Sequence, residues 1–220
     1  MSVSVVIPTL NEAEHLPALL CDLRAGGDLV AAVIVADGGS TDATVESAAG
    51  AMVVAGPPGR GGQLRRGAAA APTPWVWLLH ADSRLPEGWP AAVRACLEHP
   101  ERAWYARLRF ASADPRARLL EAGVALRCAL LRLPYGDQGL LIHRALLDAI
   151  GGIPEVPLME DVVLARRLRR HLRPMRLAIT TDASAYVRDG WLRRAFGNLW
   201  RLGCFWGGAS ATALAARYKR

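Results

Sequence analysis

Residues 30–42, VAAVIVADGGSTD, decide the fold of this chain. A continuous apolar run is followed at once by an acidic residue, two glycines and a Ser-Thr-Asp sequence that can start a helix. Strands in the middle of a parallel sheet have this pattern, because helices cover both faces of such a sheet. The stretch therefore predicts a buried strand that ends in a polar turn and leads into a helix.

The same unit recurs on both sides of this stretch. Short apolar runs of the same kind occupy residues 3–7, 52–55 and 75–79. Amphipathic segments separate the runs, and Asn11 is predicted to cap the first of these helices. Strands that alternate with helices in this way predict a mostly parallel, Rossmann-like sheet flanked by helices, the α/β class.

The second half of the chain is less regular, and its segments are predicted one by one. Extended segments are expected at residues 104–110, 139–143, 176–180 and 183–187, and helices at residues 116–131, 160–171 and from Trp191 onward. We expect one α/β domain over residues 1–190, followed by a basic, aromatic helical segment at residues 191–220.

Composition limits the possible classes of protein. The chain has 220 residues, 52% of them apolar, and this is enough for a sizeable core and too much for a disordered chain. Its four cysteines form no C-x-x-C pair, so neither a zinc site nor a disulfide framework is expected, and a reducing, cytoplasmic location is. The first residues are predicted to form a strand, not a signal peptide.

Three predicted strands end in polar sequence, and these ends should meet. The first run is followed by Pro8-Thr9-Leu10-Asn11-Glu12, the second by Asp37 and its glycines, and the fourth by His80-Ala81-Asp82. Ligands of open parallel sheets bind beyond the carboxyl ends of the strands. Each motif alone is typical of an ordinary turn, so the prediction of a ligand site depends on their order and spacing together.

These motifs resemble family 2 glycosyltransferases, which have the GT-A fold. Residues 4–12 resemble the family's opening strand and turn, and Asp37 with residues 39–42 its second-strand motif. His80-Ala81-Asp82 stands where the family has D-x-D, and Glu160-Asp161 resembles its E-D motif. Residues 60–63 and 136–139 are similar to those of a small stand-alone subset named for arsenosugar biosynthesis.

The resemblance implies roles for individual residues. Asp161 would be the catalytic base of an inverting reaction, and Asp82, with His80, would hold a divalent cation, Mn²⁺ or Mg²⁺. A nucleoside diphosphate sugar with a uridine base would be the donor. The donor-binding residues would be Pro8, Thr9, Glu12, Asp37, Arg60, Gln63, Arg66 and Ala81, and those near the acceptor would be Asp137, Gln138 and Glu160.

Two departures from the family pattern matter. His80 replaces the first aspartate of D-x-D, and imidazole favours Mn²⁺ over Mg²⁺ if it ligates the cation. The Q-x-x-R-W motif of processive polysaccharide synthases is absent, so transfer of a single sugar is expected. Two alternatives stay open: a nucleotidyltransferase that makes nucleotide sugars, and a non-catalytic membrane- or nucleic-acid-binding protein of the same fold.

The C-terminal segment predicts a second kind of contact. Residues 191–220 contain six arginines and lysines and no acidic residue. Leu192, Phe196, Leu199 and Trp206 recur at helical spacing, which is typical of a helix that lies in a membrane interface. The same stripe could instead pack on the protein's own core or on a second subunit.

Overall fold

The structure is a computed structural model that describes residues 1–156 and 158–209. Its strands form one sheet in the order β3-β2-β1-β4-β6-β5-β7. They are β1 (Val3–Thr9), β2 (Val30–Asp37), β3 (Met52–Ala55), β4 (Trp75–Leu78), β5 (Ala103–Phe110), β6 (Leu140–His143) and β7 (Leu172–Thr181). Strand β6 runs antiparallel to both of its neighbours, and the other pairs are parallel. The predicted α/β class is confirmed.

Helices flank the sheet on both faces. They are α1 (Leu16–Arg24), α2 (Thr44–Ser47), α3 (Arg60–Ala70), α4 (Trp89–Cys96), α5 (Pro115–Leu131), α6 (Arg144–Ala149), α7 (Glu160–Arg167), α8 (Ser184–Asp189) and α9 (Trp191–Trp206). Two single-turn 3-10 helices, Gly27–Leu29 and Gly136–Gln138, complete the elements described.

Alternating side chains of β1 supply two separate cores. Val5 and Ile7 pack with leucines of α1 and with Trp89 of α4 on one face. Val6 packs with Leu64 of α3 and with apolar residues of α7 on the other face. Because successive strand residues point to opposite sides, one continuous apolar run serves both cores.

The pairing of β1 with β2 positions the edge where ligands are expected. The two strands are parallel and in register, so Thr9 lies opposite Asp37 at their carboxyl ends. Strand β4 pairs with the other side of β1, which brings the end of β4 to the same edge. The prediction that these three strand ends meet is confirmed.

Two local predictions were wrong. Residues 183–187 are not a strand: α8 begins at Ser184, because the Asp182 carboxylate accepts a hydrogen bond from the Ser184 backbone N–H and favours a helical start. Asn11 does not cap α1, which begins at Leu16. Its φ of 57° is left-handed, and its side chain accepts a hydrogen bond from the Thr41 backbone instead.

Helix α9 is attached to the rest of the fold. Trp191 is 2% exposed and packs on Phe110, and Leu202 is 4% exposed in the core beneath α3 and α7. The described part of the C-terminal segment therefore shares the core of residues 1–190, and a domain boundary at residue 190 stays a prediction. Residues 210–220 lie outside the described part of the chain.

Two helical glycines allow a matched test of how closely α3 packs on the sheet. A Cβ added at Gly67 would overlap Cγ1 of Val6, whereas at Gly123 of α5 nothing lies within 4 Å. We expect Gly67→Ala to destabilise the fold by about 1–3 kcal/mol through overpacking, although alanine favours helix. Gly123→Ala should stabilise by up to about 1 kcal/mol. Urea unfolding of both variants measures the difference, and equal effects would contradict this account of α3.

Candidate active site

Asp37 organises the turn that follows β2. Its carboxylate accepts hydrogen bonds from the Thr9 hydroxyl at 3.0 Å, from the Gly39 backbone N–H at 2.8 Å and from the Ser40 N–H and hydroxyl at 2.9 and 2.5 Å. Burial raises its pKa, but these donors outweigh burial, and the pKa lies below its ordinary value. Four donors fill the usual acceptor positions of the carboxylate. A ligand that bonds to Asp37 must therefore replace one of them.

Gln63 ties three segments of this edge together. Its amide nitrogen donates to the carbonyls of Thr9 at 2.7 Å and Ala36 at 2.9 Å, and its oxygen accepts from the Gly59 N–H at 3.2 Å. The side chain is 4% exposed. The structure thus places Gln63 beneath the predicted donor-binding edge, where it holds the backbone of that edge.

Arg66 also serves the loop beneath that edge. Its guanidinium donates to the Pro57 carbonyl at 3.0 Å and lies 3.4 Å from the Asp37 carbonyl. A Cβ at Gly56 would stand 2.5 Å from its Nε, so glycine is needed there for the arginine to pass. Like Gln63, Arg66 holds backbone, and its predicted contact with a donor stays a prediction.

The end of β4 carries the predicted metal ligands. Ala81 is buried in the core, and the Asp82 carboxylate accepts a hydrogen bond from the Thr181 hydroxyl at 2.6 Å. Burial and the charge of Asp82 raise the pKa of Glu12, which follows β1. Glu12 and Asp82 therefore approach each other across this edge, beside the half-buried Pro8.

His80 points away from bulk water. Its Nε2 is buried and has no hydrogen-bond partner among the described residues, and a Cβ at Gly136 would lie 2.6 Å from it. Burial, helped by the charge of Arg60, puts the pKa of His80 well below 6.5. The ring is therefore neutral at pH 7, the state in which imidazole can bind a metal or accept a hydrogen bond.

The segment between α5 and β6 forms the next wall. Gln138 is 2% exposed, and its amide bonds to the Ala106 carbonyl, the Tyr135 N–H and Arg127. This predicted acceptor contact is thus used inside the protein. Asp137 has a buried oxygen without a hydrogen-bond partner in the described chain, and burial raises its pKa to about 6.

Glu160 and Asp161 begin α7 beside this wall. The Asp161 carboxylate accepts hydrogen bonds from the backbone N–H groups of Gly136 at 3.0 Å and Val162 at 2.7 Å. Glu160 is 4% exposed, and burial together with the charge of Asp161 raises its pKa. The two adjacent carboxyls differ: Asp161 is fixed as an acceptor, while Glu160 Oε1 makes no hydrogen bond within the described residues.

Arg60 connects these groups. Its Nε lies 3.7 Å from Glu160 Oε1, and its charge lowers the pKa values of Glu12, Asp137 and Glu160. It lines a cavity whose polar end also contains His80, Gly136, Glu160 and Asp161, and whose other walls are mainly leucines. The structure therefore brings His80, Glu160 and Asp161 around one arginine.

The side chains of this edge suit a divalent cation only in part. No three His, Cys, Asp or Glu side chains converge as a metal-binding group in residues 1–156 and 158–209. Asp82, with Glu12 and Asp137 close enough to shift pKa values, fits a cation that takes most of its ligands from phosphate oxygens and water. The residues present fit Mg²⁺ or Mn²⁺ only together with such a ligand.

Several residues of the site were missed in the sequence. Tyr135, Asn198 and Arg201 line a second cavity that shares Arg60, Glu160 and Asp161 with the first. Thr181, at the end of β7, bonds to Asp82. These four residues lie 25 to 141 positions from the site residues that they join, so local pattern carried no signal for them.

The chain was compared with known families and structures. The profile of Glycosyl transferase family 2 matches residues 4–148. Proteins of Mycobacterium bovis and Mycobacterium tuberculosis, both named as uncharacterized glycosyltransferases, are 43% identical over 90 residues, which is 40% of this chain and 39% of theirs. The chain thus matches about two fifths of the length of these relatives.

Two solved structures show the same fold. Glucosyl-3-phosphoglycerate synthase of M. tuberculosis, solved with Mn²⁺, UDP and phosphoglyceric acid, is 24% identical with a TM-score of 0.57, covering 82% of this chain and 69% of its own. S. aureus TarS, residues 1–349 with UDP, is 17% identical with a TM-score of 0.62, covering 83% and 60%. The sheet and its helices are therefore of the GT-A type.

The hydrogen bonds of Asp37 predict a stability effect. Asn cannot accept at all four positions and places an NH₂ group against donors, so Asp37→Asn should lower the free energy of unfolding by about 2 kcal/mol. The pKa of Asp37 is lower when folded, so its contribution is present above its ordinary pKa of 3.8 and lost as pH falls below that value.

The measurement is urea unfolding of wild type and variant at pH 7 and near pH 3. The exposed Glu98→Gln is the control for charge removal alone. A difference between Asp37→Asn and wild type that does not shrink at acid pH would contradict the role given to these bonds.

Proposed function

The chain belongs to glycosyl transferase family 2, and we propose that it transfers one sugar from a UDP-sugar to an acceptor beside Asp161, with inversion at the anomeric carbon. The observation that carries the proposal is the fixed carboxylate of Asp161. It lines a cavity that also reaches Arg60 and His80, next to the edge formed by β1, β2 and β4.

The donor is proposed to bind along this edge. Pro8, Thr9 and Glu12 would border the base and ribose, and the turn held by Asp37 would contact the base. Because the acceptor positions of Asp37 are filled, the base would bond to the turn or replace the Ser40 hydroxyl. Arg60 would approach the diphosphate, since it already balances the carboxylates around it.

A divalent cation is part of the proposal. Asp82 would hold it, and the neutral imidazole of His80, two residues earlier in the sequence, would be a further ligand. When bound, the cation would stabilise the negative charge that grows on the leaving diphosphate. The structure of glucosyl-3-phosphoglycerate synthase, which has the same fold, was solved with Mn²⁺ and UDP, and this supports the proposal of a metal ion and a UDP-sugar.

Asp161 would act as the general base. It would take the proton of an acceptor hydroxyl as that oxygen attacks the anomeric carbon and the bond to the diphosphate breaks. Its hydrogen bonds from Gly136 and Val162 hold the carboxylate in one orientation. A positioned base typically contributes about 10²–10⁴-fold to the rate.

The alternatives fit the molecule less well. A nucleotidyltransferase would be expected to have a glycine-rich, basic loop after its first strand, and the turn after β1 has neither glycine nor a basic residue. A non-catalytic protein of this fold has no need for adjacent carboxylates at Glu160, which is buried, and Asp161, which is half-buried. The resemblance to the arsenosugar-named subset depends on residues 60–63 and 136–139 alone, and no substrate is taken from it.

Replacement of the base tests the reaction. Asp161→Asn is nearly isosteric but cannot take a proton, so release of UDP from a UDP-sugar with a working acceptor should fall by about 10²-fold or more. The affinity for UDP should change little, because the base acts on the acceptor. Turnover is measured as UDP released, and UDP affinity by calorimetry with Mn²⁺ present.

Asp148→Asn, at an exposed position of α6, is the control. Near-normal turnover of Asp161→Asn would remove Asp161 from the role of base. Failure of the wild-type protein to bind UDP would contradict the proposed donor.

We further propose that α9 holds the enzyme at an anionic membrane surface. Leu192, Phe196 and Leu199 are 65%, 72% and 61% exposed, so this stripe does not pack on the core. The adjacent α5 exposes a second stripe, Leu119, Leu126 and Leu130, at the same helical spacing. Exposed apolar patches of this kind mark interaction sites.

The basic residues of α9 favour a lipid surface as the partner. Arg193, next to Leu192 of the stripe, is exposed, and each basic residue near an anionic surface adds about 1 kcal/mol. No helix that the structure describes is long and apolar enough to cross a membrane. The proposed contact is peripheral, through the exposed stripe of α9, and with a cytoplasmic location it would be at the inner face of the membrane.

Point variants test this contact without removing the buried Trp191 and Leu202. The full chain should sediment with phosphatidylglycerol vesicles at low salt, less so at high salt, and Phe196→Glu with Leu199→Glu should abolish sedimentation. Met52→Glu, an equally drastic change at an exposed residue of β3, is the control. Wild-type protein that stays in solution at low salt, or a dimer that Phe196→Glu dissociates, would contradict it.

A further inference from the structure

Helix α7 brings two kinds of side chain to one cavity. Glu160 and Asp161 stand in its first turn, and Leu164 and Ala165 follow one turn later on the same side of the helix. All four residues line the cavity that also reaches Gly136. The cavity is therefore polar where α7 begins and apolar deeper along the helix.

The inner walls of the cavity are leucines of the sheet and of α3. Leu78 of β4 lies opposite Leu140 of β6, and both line the cavity. Leu64 of α3 and Leu172 of β7 also line it. None of these side chains can form a hydrogen bond, so a hydroxyl placed against them would lose water without gaining a partner. The inner part of the cavity therefore suits a hydrocarbon group.

The space in this cavity is limited. Its volume is about 40 Å³. One water molecule needs roughly 10–15 Å³ on this scale, so the cavity holds a group of about three or four carbon atoms. Ala165 is the smallest of the apolar side chains that line it, and a larger residue at this position would occupy the space.

One buried polar atom at the mouth of the cavity indicates a ligand. Oε1 of Glu160 makes no hydrogen bond among the described residues, although the residue is only 4% exposed. The Nε of Arg60 lies 3.7 Å from this oxygen, which is beyond hydrogen-bond distance. Buried acceptors in proteins are normally paired, so a donor is expected here. A ligand hydroxyl would supply it beside the fixed carboxylate of Asp161.

On the basis of the proposed function, we propose that this cavity binds an apolar group of the acceptor, next to the hydroxyl that Asp161 deprotonates. The hydroxyl lies at the polar end, between Glu160 and Asp161. The hydrocarbon that adjoins it lies against Leu164 and Ala165. The acceptor is thus an amphiphilic alcohol and not a free sugar, whose reacting hydroxyl has further hydroxyls on the neighbouring carbons.

Two other occupants fit the cavity less well. The sugar of the donor has hydroxyls around its ring, which the leucines would leave unpaired, and Asp37 and Asp82 of the donor edge do not line the cavity. Water needs two to four polar partners, and in the inner part it would meet leucines only. An apolar cavity of this kind stays dry, and hydrocarbon enters it without displacing bound water.

The test uses simple alcohols, because the acceptor is unidentified. Methanol, ethanol, n-propanol and n-butanol are titrated into the full chain without UDP, and the leucine and alanine methyl signals are followed by NMR. Each CH₂ group that enters the cavity should tighten binding about fourfold. Erythritol, which has the carbon chain of butanol with a hydroxyl on each carbon, should bind no better than methanol.

Nuclear Overhauser contacts give the orientation of bound n-butanol. Its methyl end should lie near Leu164 and Ala165, and its CH₂OH end near Gly136, whose N–H bonds to the Asp161 carboxylate. The reverse orientation would separate the hydroxyl from Asp161 and would contradict the acceptor role of the cavity.

Substitution of Ala165 tests the cavity from within. Ala165→Leu should occupy the space and weaken n-butanol by about tenfold or more, because the CH₂ groups of the alcohol can no longer enter. Ala165→Val fills less of it and should bind n-butanol between wild type and Ala165→Leu; it also gives the answer if Ala165→Leu does not fold. Ala91→Leu, at an exposed position of α4, is the matched control and should bind n-butanol like wild type.

Three further results would overturn the proposal. They are equal binding of methanol and n-butanol to wild type, equal binding of n-butanol to wild type and both Ala165 variants, and competition between n-butanol and UDP with Mn²⁺, which would assign the cavity to the donor. Failure of wild type to bind UDP contradicts the proposed donor instead. The titrations without UDP still decide what the cavity binds in that case.

Discussion

The amide of Gln63 is the interaction on which the candidate site depends. It donates to the carbonyls of Thr9, the last residue of β1, and Ala36, the next-to-last residue of β2, and accepts from the loop that leads into α3. Strand ends have backbone groups that no neighbouring strand satisfies, and a buried unpaired carbonyl is costly. Because one side chain satisfies both strands, the edge is fixed where a ligand must meet backbone. The turn of Asp37 follows Ala36 directly in the sequence, and the segment around Glu12 follows Thr9.

Above this edge, electrostatics dominates. Burial, together with the charges of Asp82 and Asp161, raises the pKa values of Glu12, Asp137 and Glu160. The charge of Arg60 opposes all three shifts, although Arg127 acts more strongly on Asp137 and His15 on Glu12. Such mutual repulsion costs stability in the free protein, and sites that bind cations and phosphates commonly accept this cost. This cluster of carboxylates is therefore evidence for a functional site, whereas the core residues give evidence only for the fold.

The sequence predicted the sheet well where a single principle controls it. Apolar runs bounded by polar turns located β1 to β4 because parallel strands need both faces apolar. Ser184 was misassigned, since the Asp182 side chain that starts α8 competes with strand pairing only in the folded chain. The resemblance located the aspartates. It also gave Gln63 and Gln138 contacts with ligands, whereas in the structure both amides bond to distant backbone carbonyls. Those carbonyls are 27 and 54 positions away for Gln63 and 32 positions away for Gln138. Arg201 was not identified from the sequence, because the residue pattern of a helix does not show which distant cavity its side chains line.

For the base proposed at Asp161, the bond from the Gly136 N–H has a consequence for the entropy of catalysis. The carboxylate receives its orientation from backbone that Gln138 and Arg127 already hold, so it is set when the chain folds. A base that must be oriented anew in every cycle loses rotational freedom on each encounter, whereas here that loss occurs once per molecule. What remains to be ordered in each turnover is the substrates alone. The rotational entropy of the Asp161 carboxylate is therefore lost once, when the chain folds, and not in each reaction.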